Sequence, residues 1–219
     1  MFYRLATQLD LTAKISPKSN KVGELLYFSD FEDLFVRVLL NPKWPYCEMY
    51  MAPKIDCGKY YSDLILPDTS KLGLVPDMWT VDEAVLVTEK VKAVIEKLDD
   101  VSHQFWPARL LSESGMALDL EPRYYLSVRR FLEIDSLGLP TVETDFFQGI
   151  RERDIFPAIY KCPALRKKIE ELPLWRNRAS RSVVYLNHEI LVALRNAGVS
   201  GIKEYSVNWG KEDEAVGHV

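Results

Sequence analysis

The side chains of this 219-residue chain that could carry chemistry are three histidines, three cysteines and a few clustered carboxylates. Zinc ligands usually come in pairs at short spacing, as in HExxH or CxxC, because residues one turn apart converge on one ion. His103, His188, His218, Cys47, Cys57 and Cys162 show no such pairing, so no metal site is expected. His103 should alternate with Phe105 on a strand, as a surface histidine. His188-Glu189 falls in the first turn of a predicted helix and reads as surface rather than as a base–acid pair, and His218 lies in a polar tail. Nine residues separate Cys47 from Cys57, which is neither a redox nor a metal spacing. Paired acids could run glycoside hydrolysis. The clusters Asp82-Glu83, Asp99-Asp100 and Glu212-Asp213-Glu214 stand at element ends or in the tail, where solvated charge is expected. No GxSxG, GxxxxGK[ST] or GxGxxG occurs. The expectation is no catalytic residue, no metal and no cofactor.

Binding is the other chemistry to weigh. Trp44, Tyr46, Tyr50, Tyr60 and Tyr61 crowd a segment broken by Pro42, Pro45 and Pro53. Large aromatics on irregular backbone either pack a loop onto the core or anchor a protein partner. Trp44, Tyr46, Tyr60 and Tyr61 are the candidate partner-binding residues. The basic cluster Lys167, Lys168, Arg176, Arg178 and Arg181 is interspersed with Glu170 and Glu171, and reads as a solvated helix face.

These residues must be positioned by a scaffold that the sequence states twice. Ala84 to Thr88 is a short apolar strand, followed by a helical pattern ending at Leu98 and a second strand within Val101–Leu110. Val183 to Asn187 leads in the same way through a helix ending at Ala197 to a strand within Val199–Val207. Thr88 and Asn187 occupy N-cap positions. Val91, Val94, Ile95 and Leu98 form one helical stripe, and Ile190, Ala193, Leu194 and Ala197 form the other. Gly198 suits a left-handed C′ position. Such short helices need a sheet to bury their stripes, which predicts burial of Val91, Ile95, Ile190 and Leu194. Aligning the copies by sequence needs a one-residue shift after the helix, which leaves true duplication open.

Elsewhere, residues 2–6 and 24–28 read as strands. Ser29 opens a helix with a capping box and a stripe of Phe31, Leu34, Phe35, Val38 and Leu39. Residues 41–80 read as irregular, with strand-like pieces at Glu48–Met51 and Leu64–Leu66. Arg123 to Ile134 reads as one long strand, and Ala164 to Glu171 as a helix. The expected fold is α+β, with mixed sheets and two strand–helix–strand units (about 84–110 and 183–207) around one core. Its parts are an N-terminal α/β portion (1–80), an α+β portion (81–210) and a flexible tail (211–219), all compatible with one continuous domain.

Bulk properties narrow the function. The chain is 47% hydrophobic and 27% charged, with net charge −4. Mild acidity speaks against nucleic acid as partner. There is no apolar run of transmembrane length and no signal-peptide pattern at the start. Three cysteines suit a reducing compartment, so a cytoplasmic location is expected.

The runs Val85-Leu86-Val87-Thr88-Glu89-Lys90-Val91-Lys92, Phe105-Trp106-Pro107-Ala108-Arg109-Leu110, Tyr124-Tyr125-Leu126-Ser127-Val128 with Ile134-Asp135, and Asn196-Ala197-Gly198-Val199-Ser200-Gly201-Ile202 carry a resemblance. Over roughly residues 80–207 the chain resembles the bacterial immunity protein 11 family, departing from it at Ser127, where asparagine is usual, and at Tyr205, one position late. The resemblance implies a cytosolic α+β protein that binds and neutralises the toxic domain of a secreted polymorphic toxin, and it supplies no catalytic residues. An enzyme with a dispersed active site, such as a hydrolase, is the alternative.

Overall fold

The computed structural model describes residues 2–7, 14–15, 36–38, 47–55, 62–66, 75–81, 84–134, 163–178 and 183–206. The fold is α+β. Its strands are β1 (Phe2–Thr7), β2 (Lys14–Ile15), β3 (Val36–Val38), β4 (Cys47–Met51), β5 (Ser62–Leu66), β6 (Met78–Val81), β7 (Ala84–Thr88), β8 (Gln104–Ser112), β9 (Arg123–Ser127), β10 (Arg130–Ile134), β11 (Leu174–Asn177), β12 (Val184–Asn187) and β13 (Ile202–Ser206). The described helices are α1 (Glu89–Leu98), α2 (Pro163–Glu171) and α3 (His188–Asn196). Two sheets form, in the orders β13-β1-β12-β11-β10-β4-β3 and β2-β5-β8-β9-β7-β6. Strands from residues 1–80 therefore pair with strands from residues 81–210 in both sheets.

Each strand–helix–strand unit brackets a third strand. β7 and β8 both run antiparallel to β9, which lies between them, and β12 and β13 stand in the same relation to β1. The two helices pack on each other. With one face of each sheet they enclose the main core, where Val85, Val87 and Leu126 of one sheet meet Val184, Leu186 and Leu174 of the other. Val91, Ile95, Ile190 and Leu194 are buried there, as their spacing predicts. β7 reads as an unbroken apolar run because it is covered on both sides. Its Ala84 and Leu86 turn to a second core with Trp79, Trp106, Leu110 and Tyr125.

Local chemistry fixes the helix ends. The Asn187 side chain accepts a hydrogen bond from the Ile190 N–H at 3.0 Å, the expected N-cap. Gly198 adopts φ +65°, the left-handed conformation expected after the helix. Thr88 occupies the N-cap position with extended backbone but makes no side-chain cap. Its hydroxyl donates to Asp77 Oδ1 at 3.2 Å.

Other expectations are corrected. The stripe assigned to a helix from Ser29 reaches Val38, yet Val36–Val38 is a strand on β4. Two β-branched residues alternating about Arg37 suit a strand edge as well as a helix face, and pairing decides. Residues 29–35 lie outside the described residues, as do 24–28. The single strand expected from Arg123 to Ile134 is two strands in different sheets: β9 pairs with β7 and β8, and β10 with β4 and β11. Residues 41–80 contribute more strand than expected, since most of β6 and the full length of β4 and β5 fall there. β11, which carries Trp175 and Arg176, had no period long enough to announce it.

Candidate functional site

The chain crosses from one sheet to the other at Val128-Arg129, and a cluster of buried polar side chains forms there. Asp99 is the residue that ends α1. A carboxylate is poorly placed against the partial negative charge of a helix C-terminus, so this one needs a cation. Arg130 supplies it, donating to both Asp99 oxygens at 2.8 and 2.9 Å, to Asp100 at 3.0 Å and to the Leu174 carbonyl at 2.9 Å. The Asp99 and His103 side chains are wholly buried, and Arg130 nearly so. Asp100 remains exposed.

His103 completes the junction. Its Nε2 lies 2.9 Å from Asp99 Oδ2, and its Nδ1 accepts the Arg129 backbone N–H at 3.1 Å. Only a neutral ring with its proton on Nε2 can make both contacts. Burial lowers the His103 pKa below 6.5, and the neighbouring Arg130 and Arg129 act in the same direction against the pull of Asp99. Burial opposes ionisation of Asp99, yet its hydrogen bonds to His103 and Arg130 hold its pKa below the usual carboxylate value. The Arg129 side chain extends the tie, with Nε donating to the Ala52 carbonyl at 2.8 Å and a terminal nitrogen to the Ser102 carbonyl at 2.9 Å.

Asp77 organises a second junction, joining the two strand–helix–strand units. Its Oδ2 accepts the Ser200 N–H at 2.8 Å and the Ser200 hydroxyl at 2.9 Å, and Lys90 Nζ stands 3.3 Å away. The Asp77 N–H donates back to the Ser200 hydroxyl at 3.0 Å. Burial works against the charge, but the bonds from Ser200 and Lys90 outweigh it and keep the Asp77 pKa low. Arg123 donates to the Pro76 carbonyl and, at 3.3 Å, to that of Val75. Residues 75–78 are thus held between β9 and the turn after α3.

The surface offers different chemistry. A cleft of about 590 Å³ between the end of α2 and the start of α3 is lined by Glu170, Glu171, Asn187, His188, Glu189 and Val192. At its edge the Tyr3 hydroxyl is 3.1 Å from His188 Nδ1. Of its three glutamates, Glu170 pairs with Arg166 at 3.0 Å and Glu171 with Lys168 at 3.4 Å, so much of the charge of this wall is balanced within α2.

Several sequence expectations change here. His103 is buried, and Asp99 is no solvated end-of-helix charge. Arg176 is buried in β11 rather than on a helix face, and Arg178 pairs with Glu133 at 2.6 Å and stacks over Tyr50. Lys167 and Lys168 are exposed on α2 as expected, and Arg181 lies outside the described residues. Trp44, Tyr46, Tyr60 and Tyr61 also lie outside the described residues, as do Cys57, Cys162 and His218. The missed residue is Arg130; two arginines interrupting an apolar strand pattern, with Asp99 and His103 four apart, were its only signal.

Among the described residues no group of three or more His, Cys, Asp or Glu converges as metal ligands, and no helix is long and apolar enough to cross a membrane. Compared with protein-family models and with characterised proteins, the chain matches none.

The junction has a testable pH signature. In the unfolded chain His103 takes up a proton below about pH 6.5, whereas in the fold it stays neutral. Its stabilisation is complete above that pH and drains away on acidification, and Asp99 and Asp77 add a further loss below about pH 4. Melting temperature should fall between pH 7 and 5 in the natural protein and fall less in His103→Gln. Equal slopes in the two proteins would mean that His103 is solvated.

Proposed function

We propose that the protein is an immunity protein that neutralises a cognate toxin domain by stoichiometric binding. The observation that carries this reading is how the buried charge is used. Both oxygens of Asp99 and both ring nitrogens of His103 are bonded within the protein, across the seam between the sheets. A buried acid–base pair so committed holds a scaffold rigid, and a rigid scaffold with a complementary surface is what an inhibitor of this kind needs. The runs that carry the resemblance to immunity protein 11 fall on β7 with α1, β8, β9 and the turn after α3.

The partner is a protein with a basic face. The glutamates at α2 and α3, two of which would exchange Arg166 and Lys168 for the partner's cations, give it carboxylates to approach, and Trp44, Tyr46, Tyr60 and Tyr61 give it apolar anchors. Neither nucleic acid nor a membrane is required. Association with the co-encoded toxin domain should slow as salt rises, since steering by exposed charge is screened over about 8 Å at physiological ionic strength. Gln at Glu170, Glu171 and Glu189 together should remove most of that salt dependence. Alanine at each of the four aromatics should weaken binding by about 2 kcal/mol when the ring is fully buried in the complex, with the melting temperature unchanged. Variants that unfold but bind normally per folded molecule would place those rings in the core and the contact elsewhere.

A further inference from the structure

The two strand–helix–strand units agree in more than outline. Thr88 and Asn187 both end the first strand and precede the helix, and the interval from Thr88 to Gln104 equals that from Asn187 to Lys203. Gln104 lies opposite Ser127 on β9, and Lys203 lies opposite Ala6 on β1. The one-residue shift required by sequence alignment is therefore absent from the structure. The central strands also match in register: Leu86 faces Tyr125 where Tyr185 faces Arg4, and Val87 faces Tyr124 where Leu186 faces Tyr3. The preceding strands match too, since Trp79 lies opposite Leu86 and Trp175 opposite Tyr185.

Contacts outside the ladders repeat as well. The Thr88 N–H donates to the Asp77 carbonyl at 2.9 Å, and the Asn187 N–H to the Pro173 carbonyl at 3.0 Å, each joining the N-cap to the residue before the preceding strand. Glu89, the first residue of α1, has its pKa lowered by Lys92 and next by Tyr124 on β9. Tyr3 on β1 reaches His188, the first residue of α3. The same tyrosine position meets the same helix position with a different partner.

From these correspondences we infer that the fold is one β-β-α-β-β unit used twice, the second time in cyclically permuted order, with residues 2–7 as a strap that closes it. In the first copy β6, β7, α1, β8 and β9 follow one another along the chain. In the second, β11, β12, α3 and β13 are consecutive, and the fifth element, β1, comes from the other end of the sequence. β13 has β1 as its only sheet neighbour among the described strands, whereas its counterpart β8 also pairs with β5. The strap thus holds β13 in place as well as joining it to β12. The copies differ where function and stability can be individual: the position of the Asp99 junction in the first is the left-handed Gly198 in the second.

Two experiments on the whole chain test this. Arg4 pairs with Tyr185 on one side and Tyr205 on the other, and proline there removes a ladder donor in a strand with two neighbours. Arg4→Pro should lower the melting temperature by about 10 °C and should speed amide exchange in β12 and β13 while β7, β8 and β9 stay protected. A permutant joining Val219 to Met1 and opened between Asp145 and Phe146 places all elements of the second unit in consecutive order. With a flexible linker long enough to span the two ends, it should fold and keep amide protection in β12, β13 and β1. An unchanged melting temperature and unchanged β13 exchange in Arg4→Pro would overturn the inference, and so would a permutant that does not fold.

Discussion

Arg130→Ala is expected to destabilise the protein by about 3–5 kcal/mol, a fifth or more of the stability of an ordinary domain. The size follows from what is left behind. Asp99 has no solvent-exposed side-chain surface, so removing Arg130 strands a buried carboxylate at a helix C-terminus with a neutral histidine as its remaining side-chain partner. The Leu174 carbonyl loses a donor at the same time. Denaturant unfolding measures the loss. A companion variant, Asp99→Leu with Arg130→Met, takes away both charges but leaves the His103 Nε2–H and the Val101 N–H without their acceptor, so it should recover only part of the loss. A loss below 1 kcal/mol in Arg130→Ala would mean that water reaches the junction.

Gly201→Ala should cost about 3 kcal/mol, near the top of the usual range for a point substitution. Gly201 has φ +84°, a left-handed conformation that L side chains resist. Its α-carbon also packs so closely on residues 75–78 that a methyl group would collide with the Met78 carbonyl and the Pro76 ring. Those residues are held on their other side by Arg123, so they have little room to retreat. Gly198 is the internal control: its φ is +65°, but nothing lies within 4 Å of where a β-carbon would be. Gly198→Ala should cost only about 1 kcal/mol, the conformational part alone. Equal losses at the two glycines would show that the contact between the turn after α3 and residues 75–78 is loose.

What the sequence made legible was local. Asn187 and Gly198 announce their helix because caps are chemistry between near neighbours, and the stripes of α1 and α3 follow from a period of 3.6. The seam at Val128-Arg129 was not legible, since a chain that changes sheets keeps its β pattern on both sides of the break. Arg130 was missed for a related reason: its partners Asp99 and Leu174 lie far away in sequence, and no spacing rule joins them. His103 looked like a surface histidine because burial of a neutral ring depends on a donor, the Arg129 N–H, that the fold brings to it. The repeat was half visible: the first strand and helix of each copy aligned, while β1, its missing strand, stood at the far end of the sequence. The aromatic set around Trp44 and Tyr60 follows from composition and proline content alone, which place rings on irregular backbone without saying what they pack against.

The most direct test of the proposed function is a titration of the purified protein against the toxin domain that this reading expects to be encoded beside it, following complex formation and toxic activity in the same samples. The account predicts a one-to-one complex, with toxic activity falling in proportion to the protein added and vanishing at equivalence. Cells protected from the toxin by a protein that forms no complex with it, or toxin inactivated by sub-stoichiometric protein through turnover, would contradict binding as the mechanism and turn attention to an enzymatic one.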